Sequence, residues 1–92
     1  MLTKVDLPAS PLLQEAILRA LRDLGGAASN EELALHVAQE TSLTAQHLSI
    51  PHDAARGKRS EFEYRMAWAR TKLKDSGLIE NTGHKRWQLC KI

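Results

Sequence analysis

The sequence predicts a mainly α-helical domain closed by a small β-hairpin, in the order helix, short extended bridge, helix, short helix, longer helix, hairpin. Three observations predict it. Ser29 with Glu32 and Ser60 with Glu63 form S-x-x-E capping boxes, which start helices. Gly25-Gly26 and Gly77 fall where helical periodicity stops, as residues just past a helix do. After Gly77 the apolar spacing changes from helical to alternating.

The first helix is expected from Pro11 to Leu24, with Ser10 as its cap and Pro11 at the first helical position. Leu13, Ile17, Ala20, Leu21 and Leu24 recur at helical spacing along it. Residues 1–9 are expected to form a flexible arm. Ala27-Ala28 supplies a short extended bridge, and the second helix runs from about Asn30 to Thr41 with Leu33, Ala34, Val37 and Ala38 on one face. Thr44 caps a further helical turn, with Leu43 and Leu48 inward. The stretch "PHDAARGKR" lacks apolar periodicity and reads as a loop.

The third long helix is expected from Glu61 to Ser76. At about 100° per residue, Phe62, Met66, Ala69 and Leu73 share its core face, while Tyr64, Ala67, Thr71 and Lys74 point outward. Trp68 and Arg65 lie on its flanks, and Trp68 is expected to cover the core or the hairpin base. The hairpin then takes Leu78-Ile79, a turn at Asn81 to Gly83, and a strand from Arg86, with Trp87 and Leu89 alternating against Arg86, Gln88 and Cys90. This is the element order of a winged helix-turn-helix, whose third helix is the recognition helix and whose hairpin is the wing.

Size and composition bound the function. A chain of 92 residues makes one small domain, with little room for a deep pocket beside its core. One cysteine, Cys90, excludes an internal disulfide, and no apolar run approaches the ~20 residues that span a bilayer. A cytoplasmic protein with no membrane contact is expected. The four histidines and Cys90 show no zinc-ligand spacing, so no metal and no cofactor are expected. No catalytic residue is expected either: Asp75 and Glu80 come nearest to a nuclease motif, but position 82 is Thr rather than Lys.

Charge is distributed unevenly. Residues 1–50 hold three Lys or Arg against six Asp or Glu, and residues 51–92 hold ten against five. Such polarity suits an anionic partner on one side. Arg56, Lys58 and Arg59 crowd the start of the third helix, where the helix dipole already disfavours cations. A docking phosphate would account for them, with Ser60 as both cap and phosphate neighbour.

The segments "LRDLGGAASNEELALHVAQE", "FEYRMAWARTKLKDSGLIEN" and "RWQL" resemble the N-terminal domain of Mrr-type restriction endonucleases over about Leu12 to Leu89. The most specific part is F-x-Y-R-x-x-W-A-R-x-x-L-K-x-x-G-L-I, from Phe62 to Ile79. The resemblance implies a winged-helix module that binds double-stranded DNA, often foreign or methylated. It also implies a separate C-terminal nuclease domain, so the chain is either a domain of a longer nuclease or a stand-alone relative, as a monomer or weak dimer. On this reading the contact residues are Arg56, Lys58, Arg59, Ser60, Tyr64, Arg70, Thr71 and Lys74 around the recognition helix. His84, Lys85 and Arg86 would make the wing contacts. The rival reading is a protein-interaction or dimerisation module, which exposure of both Tyr64 and Trp68 would favour.

Overall fold

The structure is a computed structural model that describes residues 2–53 and 59–90. Arg56 and Lys58 therefore lie outside the described residues. Four α-helices and three strands follow in the expected order: α1 (Ser10–Asp23), β1 (Ala27–Ser29), α2 (Asn30–Glu40), α3 (Ala45–Leu48), α4 (Glu61–Asp75), β2 (Ile79–Gly83) and β3 (Arg86–Leu89). The strands form one antiparallel sheet in the order β1-β3-β2. This is a winged-helix arrangement.

Local chemistry explains the boundaries. Ala9 occupies the cap position of α1 and Pro11 lies within its first turn, one residue earlier than the sequence suggests. The helix ends where Gly25 and Gly26 take φ of 90° and 100°, values open to a residue without a Cβ. At α2 the Ser29 hydroxyl accepts from the Glu32 N–H at 3.1 Å, and Glu32 accepts from the Ser29 N–H at 3.0 Å. The Ser29 backbone N–H, and after it the Ser29 hydroxyl, hold the Glu32 carboxyl below its ordinary pKa. Thr44 caps α3 and Ser60 caps α4, accepting from His47 and Glu63 respectively.

The core lies between α1, α2, α4 and the sheet. Leu13, Ile17 and Leu21 of α1 are fully buried against Leu33 and Val37 of α2 and Met66, Ala69 and Leu73 of α4. Cutting one of these leucines to alanine would cost about 2–5 kcal/mol, a large share of a small domain's stability. All four residues assigned to the core face of α4 are buried.

The structure departs from expectation in three places. The wing turn is not at Asn81 to Gly83: β2 runs through Gly83, with a bulge between Asn81 and Gly83, and the turn is His84-Lys85. Gly83 pairs with Arg86 across this two-residue turn, and Arg86 also lies opposite Ser29 of β1 on its other side. Trp68 covers neither the core nor the hairpin base; it is 50% exposed. Finally, the segment before α1, expected as an arm, lies against the domain, with a 3-10 turn at Lys4–Asp6 and Leu7 buried.

Arg65 explains that last placement. Its guanidinium donates to the carbonyl oxygens of Leu7 (3.0 Å), Pro8 (3.1 Å) and Lys4 (3.0 Å), and its Nε donates to Glu61 Oε2 at 2.8 Å. The second Glu61 oxygen lies 2.7 Å from His52 Nδ1 and 3.7 Å from Lys4 Nζ. Burial raises the Glu61 pKa, but the His52 and Arg65 hydrogen bonds and the nearby cations outweigh it and leave it lowered. One carboxylate thus fastens the N-terminal segment and the approach to α4 onto the first turn of that helix.

Candidate nucleic-acid interface

The wing is tied to α2 rather than projecting freely. The Asn30 N–H donates to the Lys85 carbonyl at 2.9 Å, and Asn30 Oδ1 accepts from the Trp87 indole N–H at 2.7 Å. Lys85 itself sits at φ 56°, a left-handed conformation that costs a non-glycine residue about 1–2 kcal/mol. Its ammonium is exposed at the tip, beside exposed His84 and Arg86.

Behind that tip runs a groove of about 350 Å³ between the start of α2, one side of α4 and the wing. Arg59, Arg70 and Lys85 line it together with Asn30, Glu31 and Glu63. Arg70 lies with its guanidinium carbon 5.9 Å from the Trp87 ring centroid. Its Nε is buried with no partner, and among the described residues no ion pair or hydrogen bond engages the side chain. Burial, then the charge of Arg59, lowers its pKa. Arg65 and Arg70 therefore part company: the first is used up in structure, the second is a cation without a counter-ion among the described residues.

The outward face of α4 carries Tyr64, Ala67, Trp68 and Thr71. Tyr64 is half-buried, stacked on His52 with centroids 3.6 Å apart and edge-on to Trp68 at 6.4 Å. Arg59 reaches over the Tyr64 ring at 5.8 Å. The Thr71 hydroxyl donates to the Ala67 carbonyl at 3.0 Å. Of the sequence-derived contact residues, Arg59, Arg70 and Lys85 meet at the groove, and Arg59, Tyr64 and Thr71 meet at a shallow depression on α4. Ser60 is engaged as the cap, while Lys74, His84 and Arg86 are exposed and line neither place.

Sequence reasoning passed over Asn30; it placed Trp87 in the wing strand without its partner, and left exposure of Trp68 as the mark of the rival reading. Asn30 gave no signal beyond its place at a helix start, since both of its partners lie more than fifty residues away. No described helix is long and apolar enough to cross a membrane.

A search of curated proteins and a search of solved structures both returned no match. The family of Mrr N-terminal domains matches residues 12–91, nearly the whole chain, and it describes the N-terminal rather than the nuclease part of such proteins. With the sheet, the motif of α4 and every α-helix but the first two residues of α1 inside that span, the chain belongs to the Mrr N-terminal domain family.

Proposed function

We propose that the chain binds double-stranded DNA as the target-recognition module of a restriction-type system. In this reading α4 enters the major groove and the wing tip meets backbone or minor groove. The observation that carries it is Arg70, a half-buried arginine that pairs with no carboxylate among the described residues, in a groove it shares with Arg59 and Lys85 as well as Glu31 and Glu63. Arg59 and Arg70 repel one another in the free protein, Lys85 lines the same groove from the wing, and a backbone phosphate relieves that repulsion. Arg56, Lys58 and Ser60 would add contacts at the start of α4, and Tyr64, Thr71, Lys74, His84 and Arg86 would complete the surface. The chain then works in the cytoplasm as a monomer or weak dimer, without catalysis of its own, and delivers DNA to a nuclease domain joined to it in a longer protein.

The test is binding to short duplexes at several salt concentrations, each duplex with and without methylated cytosine or adenine. With about five phosphate contacts, log K falls against log salt with a slope of about −4 to −5. A methylation preference would support the modified-DNA form of the proposal. Absence of binding at ~50 mM salt, where phosphate contacts are strong, overturns it.

A second reading rests on Trp68, half of whose surface is open to solvent. Exposed aromatic residues are enriched in protein interfaces, so α4 could instead dock a protein domain. Trp68→Ala would then abolish association with that domain or a second copy, seen by sedimentation, while duplex binding stays undetectable.

A further inference from the structure

Resting on the DNA-binding reading, we propose that the outward strip of α4 recognises the C5-methyl group of thymine. Four residues form the strip: Tyr64, Ala67, Trp68 and Thr71. None brings the guanidinium, ammonium, carboxamide or carboxylate that reads the polar edge of a base with paired hydrogen bonds. The hydroxyl of Thr71 donates to the Ala67 carbonyl at 3.0 Å, which turns that donor back onto the helix. What remains for a ligand is methyl and ring surface, with the Tyr64 hydroxyl and the Trp68 indole N–H as its polar atoms.

These residues are also shaped as a receiving site. Tyr64, Ala67, Trp68 and Thr71, with Arg59 at the rim, line a depression of about 300 Å³. Its Tyr64 wall is braced from behind by His52, stacked 3.6 Å away and itself hydrogen-bonded to buried Glu61. Trp68 stands edge-on to Tyr64 and forms the second wall. A shallow notch walled by two aromatic rings on a helix suits a small apolar projection. In the major groove of DNA the projection available on an unmodified base is the thymine methyl, which Ala and Thr side chains contact in other complexes.

Charge complementarity selects DNA as the source of that methyl. Arg59 closes one rim of the notch, Lys72 and Lys74 are exposed further along α4, and Arg70 and Lys85 occupy the adjoining groove. An apolar strip bordered by cations matches the floor of a major groove between two phosphate walls. The cations would then supply affinity independent of sequence, and the notch would supply preference for A·T pairs.

Replacing thymine by uracil removes the methyl and leaves the hydrogen-bonding edge of the base unchanged. Duplexes of one sequence, synthesised with thymine or with uracil throughout, are titrated with the 92-residue chain at fixed salt. Burial of one methyl predicts about fourfold weaker binding to the uracil duplex per thymine engaged, with the salt slope unchanged. Thr71→Ser and Ala67→Ser narrow the difference between the two duplexes, with folding confirmed by an unshifted melting curve. Equal affinity of the wild-type chain for both duplexes overturns the inference and leaves DNA binding standing. Binding to neither duplex overturns the inference and the DNA-binding reading together.

Discussion

The Trp87 indole N–H and Asn30 Oδ1, 2.7 Å apart, join the last strand of the wing to the first turn of α2. The Asn30 backbone N–H holds the Lys85 carbonyl at the same time, so one residue fixes both the side and the tip of the wing. Asn30→Ala leaves the half-buried indole donor without its partner. We expect a loss of about 1–2 kcal/mol in urea unfolding and a red shift of tryptophan emission. An unchanged midpoint would mean that water replaces the asparagine without cost.

Arg70→Met keeps the length of the side chain and removes a charge that nothing described neutralises. Removing the desolvated cation favours folding, while losing its contact with Trp87 disfavours it, so stability should stay within about 1 kcal/mol of wild type. DNA affinity should fall about tenfold and the salt slope should flatten by about one. A strongly destabilised variant with intact DNA affinity would identify Arg70 as purely structural.

Lys85→Gly separates strain from charge at the wing tip. Glycine adopts φ 56° without the Cβ penalty, so the melting temperature should rise by a few degrees, corresponding to about 0.5–1 kcal/mol. Binding should weaken for all duplexes alike. Coupled gain of stability and loss of affinity is the signature of a strained residue kept for contact; a fall in both would contradict it.

Glu61 makes the fold acid-sensitive. Its folded pKa lies below the ordinary carboxylate value, so its contribution is complete above the unfolded pKa near 4.5 and is lost as pH falls through the lower folded value. Glu61→Gln should therefore be less stable than wild type at neutral pH, and the difference should shrink as pH falls from about 5 towards 3. Chemical unfolding at stepped pH measures this. A constant difference across that range would show that the carboxylate charge plays no part.

Much of the fold was legible because its punctuation is local. Ser29, Thr44 and Ser60 cap helices through bonds to residues three positions on, and each helix of three or more turns ended within about one residue of expectation. The wing turn was misread because Asn81-Thr82-Gly83 carries turn chemistry, while a bulge lets β2 continue through Gly83 to pair with Arg86, which no local pattern marks. Helical periodicity placed Trp68 on a flank of α4, yet it says nothing about whether another element covers that flank. The cationic surface was legible as composition alone. Which of two arginines on α4 is spent and which is free depended on carbonyls at Leu7 and Pro8, which no local pattern announces.

The latch formed by Arg65 changes what residues 2–9 are. A tail can be trimmed without consequence, but here the opening segment supplies three acceptors to one guanidinium and one cation to Glu61. Starting the polypeptide at Ser10 would leave Arg65 facing solvent and uncover Leu7's place on the core. A change at Lys4, Leu7 or Pro8 is therefore felt at the start of α4, on the element proposed to read DNA.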